Sequence, residues 1–285
     1  MSVPSDTAAR ICCQAVPRVY PDQVTALMGL KDNLAMSRVQ VITDLRGGTE
    51  AFVTFLDLLF SAGVDLVQVR DDSVEQDALR EALDAAVQPT FDHRKLLCVG
   101  RNIDVAAAFE ADLLHLGSTD GDLGQARSRL GKWSLVGRSV HDQAQLDHAV
   151  REGADWLSVG PVFGAGAPGL DLVKQAASAL PVAEVTSTPW FAVGGITLDN
   201  LDEVLGAGAV RIAIASAVTG ADDPQAAAGE FVRRVRSHWN SRDELADYVF
   251  RAMGGPRRGA TLNPVDAEDA VSAPPRRGAE DDGAV

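Results

Sequence analysis

Two stretches of very small residues raise the first chemical question. Val193-Gly194-Gly195-Ile196 puts two glycines where one β-rich run ends, and Ile214-Ala215-Ser216-Ala217 ends the next run on small residues. Glycine lets a backbone approach a ligand closely, and the N–H groups that open a helical turn lack partners of their own, so both can face a phosphate. Alone, Gly194-Gly195 is equally well read as a plain chain reversal. The matching turn at Ala215-Ser216 favours a phosphate seat. The other residues that close β-rich runs are Asp44, Gln68, Arg70, Gly100 to Asn102, His115 to Asp120, Ser139, His141 and Gly160 to Gly166, a set rich in polar groups and glycine.

These residues can meet only if the runs they close lie side by side and point the same way. Eight such runs alternate with helical stretches: Val39–Thr43, Leu66–Arg70, Leu96–Gly100, Leu113–Leu116, Leu135–Val140, Trp156–Gly160, Trp190–Gly194 and Val210–Ala215. Thr49 precedes Phe52, Phe55, Leu56 and Leu59, with Gly63 as a stop; Ser73 and Gln76 have the spacing of a capping box; Asp223-Pro224 opens a last helix carrying Phe231, Val232 and Val235. A weak internal repeat marks the helix-to-strand turns: Ala62-Gly63-Val64-Asp65, Glu110-Ala111-Asp112, Gly153-Ala154-Asp155 and Gly208-Ala209-Val210. Parallel neighbours need crossover helices, so strict alternation implies a parallel sheet, and eight units imply closure into an α/β (β/α)8 TIM barrel over residues 37–240. An open doubly wound sheet is the alternative, but no G-x-G-x-x-G follows the first run. Residues 1–36 read as an extension with a short helix around Gln23–Leu30. Residues 241–285, with Pro256-Arg257-Arg258-Gly259, Pro275-Arg276-Arg277-Gly278 and Glu280-Asp281-Asp282, read as a low-order tail.

Composition narrows the partners. Hydrophobic residues make up 46% of the 285 and aromatics 5%, so a large core must be built from Ala, Val, Leu and Ile. A formal charge of −14 argues against a nucleic-acid partner, whose phosphates call for clustered cations. No apolar run reaches the roughly 18 residues of a membrane span, and the first ten residues do not resemble a secretion signal. Cys12 and Cys13 are adjacent and Cys98 falls in a β-rich run, which offers neither a disulfide framework nor a zinc pattern. The expectation is a cytoplasmic protein, with a homodimer left open.

Six segments together resemble the thiamine phosphate synthase and thiazole tautomerase superfamily. They are Gln68-Val69-Arg70, His115-Leu116-Gly117-Ser118-Thr119-Asp120, Gly137-Arg138-Ser139-Val140-His141, Gly160-Pro161-Val162-Phe163, Val193-Gly194-Gly195-Ile196 and Ile214-Ala215-Ser216-Ala217-Val218, spread over about Val39 to Arg236. The resemblance implies a barrel that joins a hydroxymethylpyrimidine diphosphate to a thiazole phosphate, with Mg²⁺ assisting, and releases pyrophosphate. Such a site must stabilise negative charge growing on the diphosphate and a cationic pyrimidine methylene. Carried over, Gln68, Arg70 and Ser139 hold the pyrimidine diphosphate, Asp120 binds the metal, and Gly195, Ala215 and Ser216 hold the thiazole phosphate. A plainer reading stands beside each: Arg70 as a partner of Asp44 or Asp71, Asp120 as a helix cap, Ser139 as a buried strand hydroxyl, and His115 as a packed core histidine.

The sequence departs from the family pattern in one region. Asp72 stands where the family usually has lysine, Gly100-Arg101 where it has Asn-Asp with a metal-binding aspartate, and the loop 163–169 lacks the usual threonines and lysine. Arg101 would put a fixed cation where Mg²⁺ should sit, and Arg70 with Arg101 would then hold the diphosphate directly. Two other readings keep the barrel: a tautomerase in which His141 moves a proton on a thiazole ring, and a non-catalytic barrel that binds a phosphorylated thiamine precursor.

Overall fold

Residue alternation decides the architecture. In each run, every second residue faces a ring of helices and the others face the barrel interior. The computed structural model describes residues 29–252. Its strands are β1 Val39–Thr43, β2 Leu66–Val69, β3 Leu96–Gly100, β4 Leu113–Leu116, β5 Leu135–Val140, β6 Trp156–Val159, β7 Trp190–Val193 and β8 Ile212–Ile214. They pair in parallel in chain order, and β8 returns to β1 through Val39 opposite Ile212, which closes the barrel. The helices are α1 Leu30–Met36, α2 Thr49–Ser61, α3 Gln76–Asp92, α4 Ile103–Phe109, α5 Leu123–Arg129, α6 Gln143–Arg151, α7 Leu170–Ala179, α8 Leu201–Gly206, α9 Ser216–Thr219, α10 Pro224–Asn240 and α11 Tyr248–Ala252. The chain is therefore a (β/α)8 TIM barrel. Among the described residues no helix is long and apolar enough to cross a membrane.

Val41, Val67, Val99, Leu114 and Leu157 point outward and share one core with helix residues such as Phe52, Leu83 and Phe231. Leu66, Cys98, Trp156, Phe191 and Ala213 point inward and share a second core. The internal repeat has a specific structural basis. After α2, α4, α6 and α8 the chain ends its helix in a paired-bond turn: Val64 N–H bonds the Leu59 carbonyl, Ala111 the Ala106, Ala154 the Ala149 and Ala209 the Val204. This is the Schellman arrangement, and Gly63, Gly153 and Gly208 supply its left-handed residue while Glu110 does so with φ 56°. Asp65 and Asp155 then accept N–H groups from the neighbouring strands at Val39 and Val136, which anchors each new strand to the previous one.

Several local expectations are corrected. Ser73 does not cap α3: its hydroxyl donates to Asp71, and the helix starts at Gln76 with Glu75 in the cap position. Thr49 is the first helical residue of α2, behind Gly48. Asp223 does cap α10, accepting the Ala226 N–H at 2.9 Å, with Pro224 in the first turn. Strands β2, β6 and β7 stop one residue short of the β-rich runs, whose last residues turn into the mouth loops, and β8 covers only the middle of its run, with Val210 and Arg211 left at the floor and Ala215 at the mouth.

A helix, α1, spans Leu30–Met36, and the short helix expected around Gln23–Leu30 falls almost wholly before residue 29, outside the described residues. Leu34 is 1% exposed and contacts the core made by Leu66, Leu96, Leu113, Leu135 and Trp156, the first residues of β2 to β6. α1 thus closes the amino-terminal end of the barrel and leaves the opposite end free. Past residue 240 the chain continues to pack. A 3-10 turn at Asp243–Leu245 and α11 bring Leu245 and Tyr248 into contact with Val210 and Trp239. Arg211, 1% exposed, donates to the Ala35 carbonyl and to the Tyr248 hydroxyl, which ties the two terminal helices together. The Pro-Arg-Arg-Gly stretches and the acidic run lie outside the described residues.

Candidate active site

Beneath the mouth the barrel interior is polar. Gln40 on β1 donates its amide to Gln68 on β2 at 2.8 Å, and both are buried. Gln68 is therefore held by a neighbour that lies within a strand, so no strand-end search would have found it. The signal was the two-residue alternation: Gln40 shares the inward face of β1 with Ile42, as Gln68 shares that of β2 with Leu66. On the far side, His115 Nε2 lies 3.0 Å from the Ser139 hydroxyl, and the imidazole leans on Trp156 with ring centroids 5.6 Å apart. Burial pushes the His115 pKa down to about 4, so the ring is neutral near pH 7. Gly137 has a packing reason to be glycine: a β-carbon there would stand 2.2 Å from Cε2 of Trp156. His115 and Ser139 are thus both packed residues and neighbours of the mouth, and Ser139 keeps partial exposure.

The rim over β2, β3 and β4 is a chain of charges. Arg70 is exposed and donates Nε and Nη2 to Asp72 at 3.2 and 3.1 Å, rather than pairing with Asp44 or Asp71. Asp71 is instead tied to backbone, accepting the Leu45 and Ser73 N–H groups. Arg101 has φ 65°, and its fork holds both oxygens of Asp120 at 2.7 and 2.8 Å. The Gly117 N–H adds a third bond to Asp120 at 2.7 Å. These bonds, the Arg101 fork first, hold the Asp120 carboxyl below its ordinary pKa. Asp120 is not a helix cap, since Asp122 caps α5 through the Gln125 N–H. A β-carbon at position 100 would stand 2.9 Å from that of Arg70 and 3.0 Å from the Gln68 amide nitrogen, so Gly100 leaves the room that sets these two side chains. Arg138, absent from the sequence reading as an individual site residue, is buried and donates to the Gly117 carbonyl and to Glu152. It braces the loop that carries Asp120.

The rim over β6, β7 and β8 offers backbone instead of charge. Gly160-Pro161 is a cis peptide, and the Gly160 carbonyl accepts from Nδ1–H of His141. A carbonyl oxygen only accepts, so this bond requires a proton on Nδ1 of His141. Gly195 has φ 64°, and a β-carbon there would stand 2.8 Å from that of Phe163, so this loop needs glycine for both reasons. Asn200 locks the loop by donating to the Gly195 carbonyl and accepting the Thr197 N–H. Ala215 and Ser216 are exposed at the start of α9, whose first N–H groups have no intrahelical acceptor. Arg46, in the loop after β1, donates to the Thr219 carbonyl at 2.8 Å and joins this rim to the arginine side.

The donor set does not fit Mg²⁺. Hard divalent ions need several oxygen ligands, whereas both oxygens of Asp120 are committed to Arg101. Among the described residues no group of three or more His, Cys, Asp or Glu side chains is placed to hold a metal ion. The structure thus brings Gln68, Arg70, Arg101, Asp120, Ser139, His141, Gly195, Ala215 and Ser216 to one end of the barrel.

Comparison with known proteins bears on what that end does. The family model described as Thiamine monophosphate synthase matches residues 39–218. A thiamine-phosphate synthase of Streptomyces avermitilis is 45% identical over 213 residues, spanning 72% of this chain and 97% of that protein. Another, from Thermobifida fusca, is 40% identical over 214 residues, spanning 72% of this chain and 95% of its own length. The solved structure of a thiamine phosphate pyrophosphorylase from Pyrococcus furiosus matches with a TM-score of 0.63 at 30% identity, covering 74% of this chain and 99% of that one.

Proposed function

The chain belongs to the thiamine monophosphate synthase family, and from that membership we propose that it is a transferase joining hydroxymethylpyrimidine diphosphate to thiazole phosphate, giving thiamine phosphate and pyrophosphate. The observation that carries the reading is the split character of the mouth: guanidinium groups over β2 and β3, and glycine-rich backbone over β7 and β8. A reaction between two phosphorylated partners needs two such anion seats at one opening.

In this reading Arg70 and Arg101 face the diphosphate, Arg70 through its fork and Arg101 through the Nη1 that its bonds to Asp120 leave over. As the bond from the pyrimidine methylene to the diphosphate breaks, negative charge gathers on the departing oxygen, and fixed cations there lower the barrier. The methylene carbon then accepts the thiazole nitrogen, and the product thiazolium carries the positive charge. Gln68 and Ser139 line the inner wall where the pyrimidine rests. The neutral His115 behind Ser139 adds no positive charge that would disfavour a cationic methylene. Gly195, Ala215 and Ser216 hold the thiazole phosphate through backbone N–H groups. The resemblance implies magnesium, but Asp120 is occupied by Arg101, so no step is assigned to a metal. The tautomerase reading rests on His141 alone, and its Nδ1 is engaged by Gly160. We expect the enzyme to act in the cytoplasm.

The test is formation of thiamine phosphate from the two substrates by purified protein, with and without Mg²⁺, beside Arg70→Ala. Product that is lost in the variant supports the reading. No product, with thiazole phosphate still bound, overturns it in favour of a binding barrel.

A further inference from the structure

The cations of the arginine rim are already answered by anions of the same chain, and one of those anions is misplaced for a purely structural role. A single oxygen of Asp72 takes both bonds from Arg70 and lies 3.9 Å from Nη1 of Arg101. Asp72 therefore stands between two guanidiniums that come from different strand ends. Its side chain is 68% exposed, whereas that of Asp120, the other partner of Arg101, is 11% exposed. The two carboxylates differ in kind: Asp120 is bonded on both oxygens and by backbone, while exposed Asp72 meets both arginines through a single oxygen.

We infer that Asp72 is an internal decoy, its carboxylate occupying the place between Arg70 and Arg101 that one phosphate group of the diphosphate takes on binding. The identity of the anion rests on the synthase reading above. A carboxylate and a phosphate present similar oxygen geometry to a guanidinium fork. An exposed ion pair is weak, so a ligand with more charge and more oxygens displaces it. Asp120 stays in place and keeps Arg101 aimed at the opening. Two consequences follow from the same geometry. The seat collects its positive charge from guanidiniums and needs no divalent ion, and Asp72 weakens the affinity of the seat by competing for it.

Calorimetric titration of pyrophosphate tests this, in EDTA and again in Mg²⁺, on the wild-type chain, Asp72→Asn and Arg101→Ala. The expected result is binding that magnesium does not tighten, about two- to fivefold tighter in Asp72→Asn, the range for releasing an exposed ion pair, and clearly weaker in Arg101→Ala. A merely structural Asp72 would give weaker or unchanged binding on its removal, and that result overturns the inference. So does binding that requires Mg²⁺ or that ignores the loss of Arg101. Turnover measured separately keeps the two readings apart. Pyrophosphate binding in the expected pattern without thiamine phosphate formation removes the synthase and leaves the seat; turnover with magnesium-dependent binding does the reverse.

Discussion

His115 Nε2 and the Ser139 hydroxyl, from neighbouring strands of the barrel, lie 3.0 Å apart, with the imidazole 4% exposed and the hydroxyl at the edge of the mouth. Buried surroundings hold this histidine neutral, with its pKa lowered to about 4. The unfolded chain takes up the proton near pH 6.5 and the folded chain does not, so the contribution to stability is full above about 6.5. It declines as pH falls toward 4, by on the order of 3 kcal/mol in total. Thermal unfolding from pH 7 to pH 4 should therefore be steeper in the wild-type chain than in His115→Gln. Parallel curves for the two would show that His115 does not titrate this way.

Arg70→Ala should lower kcat/KM for thiamine phosphate formation by about ten- to a hundredfold, the effect of losing hydrogen bonds between charged groups. Its melting temperature should stay near that of the wild type, since the ion-pair partner of Arg70 is the exposed Asp72. A loss of activity matched by a loss of fold would point to a structural role.

Gly137→Ala places a methyl group 2.2 Å from the Trp156 ring, and this ring lies in the interior core beside Leu34 and Phe191. Overpacking of this kind costs about 1–3 kcal/mol. Urea unfolding should show the midpoint falling with an unchanged slope. A variant as stable as the wild type would mean that Trp156 has room to move.

Asp120→Asn removes the charge that answers Arg101 while keeping the shape of the side chain. Stability should fall by about 1–2 kcal/mol, in line with a partly buried hydrogen bond to a charged group. Since Asp120 is held below its ordinary pKa, this contribution is present at neutral pH and lost as pH drops through the folded-state pKa. The difference between Asp120→Asn and wild type should thus vanish in acid, as read by the urea midpoint at several pH values.

Much of the scaffold was legible in the chain because barrel strands announce themselves locally. β1, β3, β4 and β5 match the β-rich runs to the residue, since each is a short apolar stretch between a helix stop and a polar mouth residue. The strand-end rule points to Gln68, Arg70, Ser139 and Gly195, which the fold sets toward one end of the barrel. It was blind to pairings made across the mouth. Arg101 and Asp120 are 19 residues apart, and their contact depends on a left-handed backbone at Arg101 that no local pattern signals. Ser73 shows the opposite failure, a correct local pattern diverted by a nearer partner in Asp71. α11 leaves little trace in the sequence because it is short and its hydrogen bond to Arg211 spans 37 residues.

The position of α1 and α11 has a practical side. Both are tied to Arg211 at the closed floor of the barrel, so residues 29 and 252, where the described chain begins and ends, emerge on the side away from the substrates. A surface or a fused protein attached at either point would hold the molecule with its opening turned outward. A tether placed near residue 29 or residue 252 should then leave the barrel opening accessible to small molecules.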